Sequence, residues 1–154
     1  MRRAWSLFLS VCLSVAFGLN VSGQDKKTFA PEIESFADRL MSLSSDADQQ
    51  KLLAENKSLA SADLSELLHQ RGNAFFGKRD FTNALKYDHA RLLVANVLGD
   101  RHHVAEALLA LGQTYNSRGE SERASGYLTE AASVFRELGD RSEEHTSELQ
   151  SRFG

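Results

Sequence analysis

The chain has 154 residues, with 18 Lys and Arg against 21 Asp and Glu, a net charge of −3, one cysteine and one proline. A modestly acidic chain with no clustered basic face argues against a nucleic-acid partner. The single cysteine, Cys12, falls in the leading segment, so the rest of the chain has no disulfide to staple it, and the lone Pro31 leaves the remainder free to be helical.

The chain opens with Arg2 and Arg3 ahead of an apolar stretch, 4–19. Val21 and Gly23 then place small residues at the two positions a signal peptidase reads. This pattern predicts that 1–23 is a secretory signal peptide, removed on export, which would put the mature chain in the periplasm or outside the cell with no membrane association. A retained membrane anchor is the competing reading. The run 5–21 is at the short limit for spanning, and Ser6, Ser10, Ser14 and Asn20 dilute it. Lipidation at Cys12 fits less well, because Val11 stands where a small residue is needed.

Residues 24–60 read as a helical lead-in. Pro31 suits a first helical position, and Ile33, Phe36, Ala37, Leu40 and Met41 form an apolar stripe over a helix 31–43. A shorter helix, 46–56, carries Leu52, Leu53 and Ala54. The pair would form either a degenerate repeat or an N-terminal cap over the first full one.

From 61 the chain nearly repeats itself. Gly72, Ala84, Tyr87, Leu98, Gly99, Asp100 and Arg101 return forty positions later as Gly112, Ala124, Tyr127, Leu138, Gly139, Asp140 and Arg141. Self-similarity at a fixed period of this length marks a stacked repeat array, here 61–100 and 101–140. Ser61, Asp80 and Asp100 are N-cap residues for helices 62–78, 81–98 and 101–118, and Glu120 leads a fourth, 121–138. Gly99, Gly119 and Gly139 mark helix ends. The predicted fold is all-α: antiparallel helical hairpins stacked as a short solenoid. Such an array works as a surface more often than as a reaction centre.

Within the second copy, Leu108, Leu111, Gly112, Tyr115, Ala124, Leu128 and Ala131 stand at the spacing of the tetratricopeptide repeat, which this segment resembles over 64–140. The forty-residue period and the Leu-Gly-Asp-Arg junctions are similar to the longer variety of that repeat. The first copy departs from the pattern. Arg71 stands where the family has leucine, and Asp88 and Arg91 replace an apolar residue and an alanine. Three apart on one helix, Asp88 and Arg91 are spaced to pair with each other.

The last segment, 141–154, is set apart from the repeats. Residues 141–151 resemble the in-frame translation of a common sequencing-library adapter, so a non-native tail is expected there and the native protein is expected to continue past Asp140.

No catalytic constellation emerges, and none of the residues calls for a cofactor or a metal. His102 and His103 are adjacent, so on a helix they point about 100° apart and cannot readily chelate one ion. His69 and His89 fall on different helices without ligands at metal spacing. Asn56-Lys57-Ser58 is a glycosylation sequon, relevant only in a eukaryotic source.

The resemblance implies a working face on the first helix of each hairpin. It comprises Glu66, His69, Asn73 and Phe76 in the first copy, and Glu106, Leu109, Gln113 and Asn116 in the second. Amides there can hydrogen-bond an extended peptide, with Phe76 and Leu109 for apolar contact. The family's clamp for carboxylate tails is not matched, since His69 and Ala110 replace a lysine and an asparagine. The sequence thus predicts a non-enzymatic, exported protein–protein interaction module, the N-terminal fragment of a longer repeat protein. One alternative is the scaffold of a larger enzyme, such as a CHAT-type protease, whose Cys and His pair would lie outside this chain. Another is self-association through Leu128, Val134 and Phe135 on an uncapped last helix.

Overall fold

The computed structural model describes residues 27–153, with side chains described through 139. The proposed leader, 1–23, and Cys12 lie outside the described residues. Six α-helices succeed one another: α1 Pro31–Ser42, α2 Asp46–Glu55, α3 Ala62–Gly77, α4 Phe81–Leu98, α5 Arg101–Ser117 and α6 Ser121–Phe153.

The starts of α3, α4 and α5 come from side chains that satisfy otherwise orphaned backbone donors. Leu64 N donates to Ser61 Oγ at 3.2 Å, and Asn83 N to Asp80 Oδ1 at 3.1 Å. Asp100 Oδ1 accepts from both His102 N and His103 N, at 3.0 and 3.1 Å. The same three helices end at left-handed residues. Gly99 (φ 66°) comes after α4 and Gly119 (φ 88°) after α5, but the equivalent position after α3 is Arg79, at φ 60°. A side chain there costs about 1–2 kcal/mol that the glycine forty positions on does not. Gly139 is different from the sequence expectation. It lies inside α6, which runs on to Phe153 without a left-handed break. A glycine in mid-helix costs only about 1 kcal/mol, so it ends a helix only where the chain must turn.

α3 with α4 and α5 with α6 form the two hairpins, and α5 also packs along α4. Each hairpin closes at a glycine, tightly at the first and more tightly at the second. A β-carbon on Gly72 would sit 3.2 Å from Tyr87 Cβ. One on Gly112 would sit 2.7 Å from Leu128 Cγ and Cδ2 and 3.3 Å from the Ala124 carbonyl oxygen. The same register brings an aromatic stack to each hairpin: Phe75 on Tyr87 (centroids 5.5 Å) and Tyr115 on Tyr127 (5.4 Å), again forty positions apart.

α1 lies against α3 and α4, and α2 against α4, with α1 and α2 meeting less extensively. They cap the first hairpin and do not form a third one. Phe29, Ile33, Phe36 and Leu40 share one core with Leu52, Leu53, Leu64, Leu68 and Val94. Gln49, at the start of α2, donates through Nε2 to the Leu40 and Leu43 carbonyls at 3.3 and 3.1 Å, closing the end of α1. Arg71, out of place in the repeat pattern, donates to Asp38 Oδ1 on α1 at 2.6 Å. Its departure from leucine therefore belongs to the cap that covers α3.

Gly112→Leu is expected to lower stability by about 1–3 kcal/mol through overpacking. The Leu128 side chain can swing away, whereas the Ala124 carbonyl is held in α6. Thermal unfolding followed by circular dichroism checks this, and an unchanged midpoint would contradict the hairpin register.

Candidate functional site

The eight face residues proposed from the sequence all lie on α3 and α5. Asn73, Phe76, Leu109, Gln113 and Asn116 are exposed, and Glu66, His69 and Glu106 are half-buried. Glu66 Oε1 accepts from Gln70 Nε2 at 3.3 Å, and Phe76 packs edge-on to Phe81 (5.5 Å). Asn116 sits at the far end, on the rim of a groove along α6.

Three of the eight are joined by a residue the face did not include. Arg91 rises from α4 with only 5% of its surface exposed. Its Nη2 donates to Glu106 Oε2 on α5 at 2.7 Å, and its Nη1 lies 3.3 Å from His69 Nδ1 on α3. His69 Nε2 in turn lies 3.0 Å from the side-chain amide of Asn73. One guanidinium therefore ties the first helices of both repeats together from below. Burial holds His69 below its ordinary pKa, and the Arg91 charge adds to this against the opposing pull of Glu66 and Glu106.

The expected pairing of Asp88 with Arg91 is not what forms. Both side chains face the α3/α5 side of α4, but each finds a partner on the next repeat. Asp88, 6% exposed, accepts from Thr114 Oγ1 on α5 at 2.9 Å. Burial pushes the Asp88 carboxyl up to about 6, against the Thr114 hydrogen bond and the Arg91 charge, which lower it. The sequence marked both residues as departures from the pattern. Their true partners lie 26 and 15 positions away, beyond the reach of helical spacing.

Two further concavities flank this face. A groove of about 530 Å³ on the open side of α6 is lined by Ser125, Leu128, Thr129, Ala132 and Arg136, with Asn116 at its end. Leu128 and Phe135 are each 37% exposed, but Val134, expected to be uncovered, is 4% exposed and packs with Val104, Ala105 and Leu108. It points back to α5, because it lies one position off the outward stripe. A cavity of about 470 Å³ lies between the cap and the repeats, lined by Met41, Asp46, Lys86, His89, Tyr115 and Arg118. Burial lowers the His89 pKa there, with Asp46 opposing.

The other candidates are occupied. His103 Nδ1 lies 2.7 Å from Asp100 Oδ2, and His102 Nδ1 lies 3.7 Å from Glu106 Oε1. The two adjacent rings stand 6.2 Å apart, nearly perpendicular. Asn56 Nδ2, the atom a glycan would take, donates to the Leu52 carbonyl at 2.9 Å as the last turn of α2 closes. Among the described residues, no group of three or more His, Cys, Asp and Glu could hold a metal ion, and no helix is long and apolar enough to cross a membrane.

Residues 63–137 match the tetratricopeptide repeat family, a span that includes α4 and α5 whole and most of α3. No curated protein and no solved structure is a significant match to the chain.

Asp88 gives the repeats a pH signature. Its folded pKa of about 6 exceeds the unfolded value of about 3.9, so the folded state binds the extra proton. This contribution is fully present below about pH 4 and is lost as pH rises through 6, a drop on the order of 2–3 kcal/mol. Asp88→Asn keeps an acceptor for Thr114 and removes the titration. Urea unfolding across this window should show the wild type losing stability relative to the variant as pH rises, and a constant difference would contradict the assignment.

Proposed function

Since residues 63–137 belong to the tetratricopeptide-repeat family, we propose that this chain is a protein–protein interaction module whose α3/α5 face holds an extended peptide segment. Repeats of this family are typically non-catalytic binding surfaces. The observation that carries the reading is the amide and apolar content of that face: Asn73, Gln113 and Asn116 stand exposed beside exposed Phe76 and Leu109. An extended segment offers main-chain groups to the amides and side chains to the apolar positions. Arg91, the cation beneath the face, is already paired with Glu106, and Glu66 adds a negative charge. A neutral or basic segment suits it better than an acidic one.

The leader reading extends the proposal: the module works after export, in the periplasm or outside the cell. We further propose that it is the N-terminal part of a longer repeat protein, with a scaffold for a missing CHAT-type protease domain as the alternative. The surface of α6 supports continuation. On α4, Leu85, Asp88, Leu92 and Ala95 face the next hairpin; forty positions on stand Ser125, Leu128, Ala132 and Phe135, with Leu128 and Phe135 exposed and Ser125, Leu128 and Ala132 along the open groove. That same surface is where two copies would associate if nothing else covers it.

Peptide display on the purified protein tests the face. Selected peptides should lose affinity about tenfold or more when Asn73 or Gln113 is replaced by alanine, the size of one lost hydrogen bond of ~1.4 kcal/mol. Peptides that bind both variants as well as the wild type would place the working surface elsewhere.

A further inference from the structure

The polar relay under the face fixes which way one of its amides points. A guanidinium can only donate, so His69 Nδ1, 3.3 Å from Arg91 Nη1, has to be an acceptor. The opposite tautomer would aim an N–H at a buried cation. Glu106 Oε2, 2.7 Å from Nη2, holds the guanidinium in place, so Arg91 cannot turn away. With Nδ1 accepting, a neutral imidazole carries its proton on Nε2. That N–H meets the side-chain amide of Asn73, one helical turn further on, whose nitrogen lies 3.0 Å away. Two donors do not share a hydrogen bond. Of the groups in this relay only the amide can exchange its donor and acceptor ends, by a half-turn that leaves its shape unchanged.

We propose that Arg91 and His69 are positioning residues that turn Asn73 so that Oδ1 accepts from His69 Nε2–H and the amide NH₂ faces outward, making this point of the face a donor for a main-chain carbonyl of the bound segment. The inference rests on the α3/α5 face being the binding surface. A carbonyl suits the point better than a carboxylate, because the nearby Arg91 charge is already neutralised by Glu106 and Glu66 stands one turn before His69. The polarity is also specific to this chain. Arg91, which orients His69, stands where the family has an alanine.

The test needs no partner, so its outcome is independent of whether peptides bind. Long-range ¹H–¹⁵N correlation spectra of the free protein at about pH 8, where histidine is neutral, report which ring nitrogen carries the proton. We expect His69 as the Nε2–H tautomer alone. An Nδ1–H ring overturns the proposal. Asn73→Asp, an exposed change that offers acceptors only, should leave the tautomer unchanged, and a switch there means Nε2 was the acceptor after all. Arg91→Leu should release the ring to a mixture of tautomers. An unchanged single tautomer in a folded Arg91→Leu protein removes Arg91 from the relay, and if that variant fails to fold, the wild-type and Asn73→Asp spectra decide the amide's orientation.

Discussion

At Gly112 a β-carbon on α5 would lie 2.7 Å from the Leu128 side chain and 3.3 Å from the Ala124 carbonyl oxygen of α6, and at Gly72 one on α3 would lie 3.2 Å from Tyr87 Cβ of α4. Much of the molecule depends on these two crossings. They bring each hairpin close enough for its aromatic pair to stack, Phe75 on Tyr87 and Tyr115 on Tyr127. They also hold α4 at a depth from which Arg91 can reach α3 and α5 together. A wider hairpin would leave that guanidinium short of one partner. An unpaired charge so deeply buried costs several kcal/mol.

The junction between the two hairpins is therefore partly polar where such arrays are normally apolar. Thr114 donates to Asp88, and Glu106 holds Arg91, both from α5 onto α4. Buried polar pairs of this kind contribute little net stability compared with apolar packing of the same volume. What they supply is register: sliding α5 by one turn would leave a carboxylate and a guanidinium without partners. Arg91 also reaches the proposed face through His69, so the packing of the repeats and the chemistry of that face share atoms. On the other side of the first hairpin, Arg71 and Asp38 dock the cap. The three departures from the repeat pattern thus each answer a local neighbour.

Where a signal was local, the sequence was read well. Ser61, Asp80 and Asp100 cap helices that begin where expected, because a cap depends on the next three residues alone. The forty-residue period is likewise visible without knowing any contact. The misses are of long range or depend on context. Arg79 closes α3 in a left-handed conformation with no glycine to announce it, and Gly139 stays helical because α6 does not turn there. Val134 differs from outward-facing Phe135 by one position, which on a helix is a rotation of about 100°. Of the face, the exposed amides and apolar side chains could be placed by spacing. The guanidinium joining three of its members could not, since α3, α4 and α5 meet only in three dimensions.

The central claim is that this protein works through the α3/α5 face, and shift mapping with a selected peptide on ¹⁵N-labelled protein tests it most directly. We expect perturbed resonances at His69, Asn73, Phe76, Leu109, Gln113 and Asn116, with α1 and the α6 residues Ser125, Leu128 and Ala132 unaffected. Perturbations gathered instead at Ser125, Leu128 and Ala132 would contradict it and move the binding surface to the open side of the last helix.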